Sequence, residues 1–467
     1  MNTLKLRKQA SKLVLAIALA TGAAMIAGHV APAEAQAQRK KKKDKKEDDK
    51  PQYSKEWREA FVPLDEQLKA EGADPRSFTS QIDQVVAISQ SGDERLQTGQ
   101  LIYNAGIRLG EIDSSETGQN AAYAMRLRGM EMMIGSGKAP AAAVGQYNFI
   151  AYQLAGASGQ AEKSRTYLQA AIDAGYSGNQ SPSDLLVAMA QTYFSTDEYA
   201  KGLQVLDDAI ASKQAAGEPV EERLYEFAFS VAYREDLQPQ VYDYAIRRAQ
   251  MFPTDDNWTN AFNVVRVLNE YGAQETLDIL RLKRIAQLLD DKQDFIIYVE
   301  TADARVLPQE VKDVIELGYA TGEVERDDTF IADQLRIATG RIETDREELP
   351  VLEEDARAAG ADLATVRAAG SAFLSYGEFD KAVEFYSKTA TMPGGDTEET
   401  LTRLGMAQVG MEDYEGAKAT FAKVTGPRMP IARIWAGYAE YQSGGASAQS
   451  GPTGQAVSAI EAPGNAS

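Results

Sequence analysis

The residue types that carry most enzyme chemistry are almost missing from this chain: it has one histidine, His29, and no cysteine. His29 lies in an amino-terminal stretch that reads as a removable leader, so the body of the protein is expected to have neither type. Without imidazole or thiolate there is no Ser-His-Asp triad, no cysteine nucleophile, and no zinc or haem site of the His/Cys kind. Gly135-Ser136-Gly137-Lys138 invites a phosphate-loop reading. The G-x-x-x-x-G-K-[ST] pattern, however, would put Met132 at its first glycine and Ala139 at its hydroxyl position, so a helix-ending turn is the better account. The acidic pairs Asp207-Asp208, Asp290-Asp291 and Asp327-Asp328 lack the D-x-D-x-D-G order of a calcium loop and read as solvated faces. Paired carboxylates could cleave a glycoside without His or Cys, but no carboxylate stands apart from the general acidity. No catalytic, cofactor or metal-binding residue is therefore assigned.

The elements that must position any site are helical. Apolar residues return at spacings of three and four, and breaks at Gly, Pro, Asn or Asp recur along the chain. The most strand-like run, Phe295-Ile-Ile-Tyr-Val299, is flanked by helix-type sequence and reads as a buried helix segment. Near the carboxyl end the same helix pair is written twice, about 35 residues apart. The first copy carries Gly370, Phe373, Gly377, Phe379, Ala382 and Tyr386; the second carries Gly405, Tyr414, Ala417 and Phe421. Two antiparallel helices joined by a short turn approach closely only through small residues, so Gly370 with Ala382, and Gly405 with Ala417, are the predicted contact points. Phe373, Tyr386, Tyr414 and Phe421 fill the space around them. Degenerate copies run through Tyr147–Ala174, Leu185–Ala211 and Glu222–Pro253; the pairing of Trp258–Leu289 and Asp294–Arg357 stays open.

These patterns resemble the tetratricopeptide repeat family, clearly over residues 363–425 and more weakly over about 140–255. With the leader, the chain resembles exported tetratricopeptide proteins of Gram-negative bacteria. The resemblance implies an all-α solenoid, a right-handed superhelix whose concave face, lined by the first helix of each pair, holds a protein or peptide. Thr389 and Val424 depart from the family's usual alanines, and its closing proline is displaced to Pro393 and Pro430. Arg367 and Arg403 fall on the first helices of the two clear copies and are candidate groove contacts; the plainer alternative is a surface arginine paired with Glu378 or Glu399. Met429–Tyr441, with Ile431, Ile434, Trp435 and Tyr438 on one stripe and Arg433 and Glu440 off it, is the predicted capping helix.

The ends of the chain are read by composition. Lys5, Arg7, Lys8 and Lys12 precede an apolar run from Leu13, and A-x-A follows at Ala33–Ala35 and Ala35–Ala37. That is the order of a secretory signal peptide over residues 1–37, with cleavage after Ala35 or Ala37 and a periplasmic or secreted product. The alternative is an uncleaved leader acting as an anchor, because many bases follow it. Residues 38–55 read as a charged linker, whose lysines could touch anionic envelope polymer or lipid. The solenoid spans 56–442, and 443–467 is a Gly/Ser/Ala-rich tail. The whole chain carries −20; losing a leader with four bases and one acid leaves about −23, a charge that repels nucleic acid. Together these readings predict a non-catalytic adaptor that binds proteins. The alternative is a cell-wall or polysaccharide factor, enzymatic or regulatory, on a helical chassis.

Overall fold

The computed structural model describes residues 51–444 apart from Ser177 and Asn179. The leader, the basic arm up to Lys50 and nearly all of the carboxyl tail lie outside them. Every regular element among the described residues is a helix. The first ten are α1 (Lys55–Lys69), α2 (Thr79–Ile88), α3 (Gly92–Ile112), α4 (Glu116–Gly135), α5 (Ala141–Ala157), α6 (Ala161–Asp173), α7 (Pro182–Phe194), α8 (Tyr199–Ala216), α9 (Glu222–Arg234) and α10 (Gln240–Met251). They are followed by α11 (Asp255–Val267), α12 (Ala273–Ile285), α13 (Lys292–Ala302), α14 (Pro308–Thr321), α15 (Thr329–Arg357), α16 (Leu363–Ser375), α17 (Phe379–Thr391), α18 (Glu398–Gly410), α19 (Tyr414–Phe421) and α20 (Met429–Gln442). The strand-like run Phe295–Val299 sits in α13. Helix starts follow local chemistry: Ser91 and Glu94 close a capping box on α3, Ser181 and Asp184 do so on α7, and Pro308 occupies the first turn of α14. The first helix begins at Lys55, at the edge of the span read as linker, and the chain before it is tied down by Ser54 N donating to Glu94 Oε1 at 2.7 Å.

Five helix pairs share one turn together with the spacing that follows it. The amides of Gln160, Glu198, Leu237, Glu378 and Asp413 donate to the carbonyls of Ala155, Tyr193, Ala232, Phe373 and Gln408, each at 2.9–3.0 Å. In every case the preceding residue is left-handed: Gly159, Asp197, Asp236, Gly377 and Glu412, with φ between 53° and 74°. Five positions after that residue stands a buried residue of the second helix: Ser164, Gly202, Val241, Ala382 or Ala417. Gly377 takes the left-handed conformation freely, whereas Asp197, Asp236 and Glu412 adopt it against the steric preference of an L-residue. The same turn joins α12 to α13, where Leu288 N donates to Lys283 O at 2.8 Å behind Gln287 at φ 59°. The sequence leaves this pairing open because α11, an unpaired helix, shifts the frame.

Successive pairs stack, burying apolar surface in a chain of clusters. The stack does not stay open. One large core joins α7–α12 to α18–α20: Tyr242, Ile246, Trp258 and Phe262 share it with Met406, Phe421, Ile431 and Trp435. The helix read as a polar-faced cap is what closes it. α20 packs against α10, α11 and α12 on one side and α18 and α19 on the other. Ile431, Ile434, Trp435 and Ala439 are wholly buried, Arg433 pairs with Asp243, and Gln250 donates to Gly437 O at 2.9 Å and to Glu440 at 3.2 Å. α20 is therefore an internal closing helix and not a solvent-facing cap: its second face meets helices far back in the sequence, which no local pattern reports.

Candidate functional site

The residues singled out from the repeat meet as pairs. A Cβ on Gly370 would lie 3.1 Å from the Tyr386 ring, and one on Gly405 would lie 2.5 Å from the Phe421 ring. Phe373 stacks on Phe385 with centroids 5.6 Å apart, Ala382 and Ala417 are fully buried, and Tyr414 is half-buried. Thr389, at one of the departures from the family pattern, turns its hydroxyl back to Phe385 O at 2.8 Å and so adds no unpaired donor to the core.

The two candidate arginines part company. Arg367 is exposed on α16, whereas Arg403 on α18 is 5 % exposed and engaged on three sides. Its Nη1 pairs with Glu399 at 2.5 Å, its Nη2 donates to Gln274 at 2.6 Å, and its Nε lies 3.6 Å from Asp278. The expectation that both occupy matching positions on an open face is corrected for Arg403, because α18 is enclosed: Thr402, which stands ten residues before Glu412 as Arg367 does before Gly377, is also fully buried, and α18 packs against α17, α19 and α20.

Arg403 belongs to a buried polar cluster that no motif announced. On α12 the seven residues from Leu277 to Lys283 are all buried although three are charged. An amphipathic helix keeps a polar stripe in water; α12 has none, because neighbours lie all round it. Asp278 is fully enclosed and accepts from Arg428 Nη1 at 2.6 Å and Arg281 Nη1 at 3.0 Å. Arg428 reaches Glu275 at 3.0 Å with its other nitrogen. Arg281 forks onto Glu310 of α14 with two bonds of 2.8 Å, and Tyr298 of α13 donates to the same carboxylate at 2.7 Å. Trp435 Nε1 of α20 donates to the Asp278 carbonyl at 2.9 Å. Burial alone would push the Asp278 carboxyl up, but the guanidiniums of Arg403, Arg281 and Arg428 outweigh it and hold the group below the usual carboxylate range. Glu310 is lowered in the same way, burial being overcome chiefly by Arg281. A second set, the buried Lys283 and the partly exposed Arg266 on the buried Asp294, ties α11, α12 and α13 together.

Both oxygens of Asp278 and of Glu310 already accept hydrogen bonds from charged donors, so the cluster clamps distant segments and offers no free base. The only sequence signal for it is charge at Asp278 and Arg281, an i, i+3 pair, inside the apolar run Leu277–Leu282. Gly135–Lys138 forms the end of α4: Gly137 is left-handed, Ser136 Oγ donates to Met133 O at 2.6 Å, and Lys138 N donates to Ser136 Oγ at 3.1 Å. Of the acidic pairs, Asp207 receives Tyr244 and Arg247, while Asp291 and Asp328 cap α13 and α15. Among the described residues no group of three or more His, Cys, Asp or Glu is arranged to hold a metal. No helix of the described residues is long and apolar enough to cross a membrane. No family model and no curated protein matches the chain.

Proposed function

We propose that this protein is a non-catalytic adaptor of tetratricopeptide type, exported to the periplasm, that binds proteins or peptides along the first helices of its repeated pairs. The observation that carries the reading is the turn shared by five helix pairs, which sets successive first helices in one register. A row of equivalent side chains on parallel helices is a surface for an extended partner. The binding face is assigned to the pairs α5–α6, α7–α8 and α9–α10, because Arg403 in the last pair is taken up by the buried cluster. Six residues before the turn, these pairs present Gln153, Gln191 and Ser230, whereas the equivalent Met406 of α18 is buried.

The test is capture from an envelope extract with the chain lacking its leader, alongside binding to purified wall polymer. Gln153→Lys, Gln191→Lys and Ser230→Lys combined should abolish recovery of the wild type's partners with melting unchanged. Undiminished capture by the triple variant refutes the assignment of the face, and saturable binding to the polymer with no protein recovered refutes the adaptor reading.

A further inference from the structure

Within the repeated pairs the charges are unevenly shared. α5 carries no charged residue and α7 carries only Asp184, in a chain of which 25% is charged and whose net charge is −20. Asp184 is already taken up by Arg223 of α9. The second helices hold the charge instead, with Glu162 and Lys163 of α6 and Lys201 and Asp208 of α8 exposed. The open stripe of each first helix recurs at three and four, so it stays on one side: Gln146, Ile150 and Gln153 on α5, and Ala188, Gln191 and Ser195 on α7. Gln146 and Gln191 are exposed and Gln153 is half-buried, and none of these three amides is hydrogen-bonded to another group among the described residues. A side-chain amide offers donors and an acceptor, the complement of what each peptide unit of an extended chain presents. The aromatic rings of the two helices are already engaged. Phe149 stacks on Tyr176 at 4.7 Å, Arg165 lies over Tyr193 at 4.3 Å, Phe194 meets Phe227 at 5.9 Å, and Tyr147 and Tyr152 pack against the neighbouring cores. These rings are therefore not open platforms for stacking a sugar.

We infer that the face formed by α5 and α7 takes an extended, uncharged polypeptide segment and reads its main chain, Gln146, Gln153 and Gln191 bonding peptide groups whatever side chains the segment carries. This assignment rests on the adaptor reading and gives it a partner chemistry. A neutral face on an acidic body is complementary to a neutral segment: an anionic one is repelled by the body, and a cationic one finds its carboxylates elsewhere. Hydrogen bonds between neutral groups are not screened by salt, so affinity should hardly depend on it. The test is fluorescence anisotropy of the leaderless chain with labelled peptides of about 15 residues. The probes are a sequence of Ala, Ser, Thr and Gln, its scramble, the same sequence with alternate amides N-methylated, and versions carrying several Lys or several Glu. The first two should bind within about threefold of each other, and each should change by less than about twofold between about 50 and about 500 mM NaCl. N-methylation, or Gln153→Leu with Gln191→Leu, should weaken binding at least about tenfold, whereas Gln169→Leu on the second helix α6 should leave it unchanged, with melting the same in all variants. Tighter, salt-sensitive binding of the Lys or Glu peptide overturns the inference. So does full affinity of the N-methylated peptide or of the double Leu variant, the failure of every peptide to bind, or binding of a soluble neutral glucan in their place. Capture of envelope proteins that persists beside any of these results leaves the adaptor reading standing and removes only the main-chain chemistry.

Discussion

Replacing Asp278 by asparagine isolates the charge of the buried clamp with little change of shape. The wild-type carboxylate accepts two guanidinium bonds, 2.6 Å from Arg428 and 3.0 Å from Arg281, with Arg403 at 3.6 Å. A hydrogen bond to a charged partner contributes about 1.5–3 kcal/mol, and removing one member of a buried ion pair costs about 3–5 kcal/mol because the remaining charges are left uncompensated. Asparagine keeps one acceptor oxygen but turns an amide donor toward a guanidinium, so the expected loss at pH 7 is about 3–5 kcal/mol. The sign with pH follows from the lowered folded-state value. A carboxyl whose folded pKa lies below its unfolded value of about 3.9 contributes its full stability above that value and loses it as pH falls through the folded pKa. The asparagine variant has no such component at any pH. The stability gap between wild type and Asp278→Asn should therefore be widest near neutrality and shrink below about pH 4. Urea unfolding at a series of pH values measures it, since urea leaves the charges unscreened, and tryptophan emission reports locally because Trp435 is bonded to the Asp278 carbonyl. A gap under about 1 kcal/mol at pH 7, or one that stays constant from pH 7 to pH 3, would refute the clamp reasoning.

Three further outcomes follow from the packing. Ala382→Leu or Ala417→Leu should cost about 1–3 kcal/mol by overpacking, with faster amide exchange concentrated in α16–α18 for the first and reaching α9–α12 through the shared core for the second. Gly405→Ala should lower the urea midpoint more than Gly370→Ala, because the added methyl meets the Phe421 ring at 2.5 Å in one case and the Tyr386 ring at 3.1 Å in the other; equal midpoints would contradict the helix spacing. Arg403→Glu puts another carboxylate beside the buried Asp278 and should reduce stability by several kcal/mol, while Arg367→Glu on the exposed face should leave melting nearly unchanged, which scanning calorimetry distinguishes.

What the sequence determined by itself was local. The helices, the small-residue sites at Gly370, Ala382, Gly405 and Ala417 and the turn at Gly377 were legible because each depends on residues within about one helix pair, whereas the partners expected for the glycines, Ala382 and Ala417, give way to the Tyr386 and Phe421 rings as the nearest groups. The helix-ending turn at Gly135–Lys138 was readable for the same reason. Arg403 was misplaced because α18 is enclosed by helices distant in sequence, α12 and α20 among them, which its own stretch does not report. Only the tertiary structure decided the closure. Asp278 meets Arg428 across 150 residues, and Gln250 meets Glu440 across 190. No spacing rule reaches that far; such contacts exist because stacked pairs turn the chain back until α20 lies against α10–α12. The same closure explains why the buried charges of α12 announced no site in the sequence. Their burial depends on neighbours from α14, α18 and α20, whose approach is a property of the whole stack and not of α12.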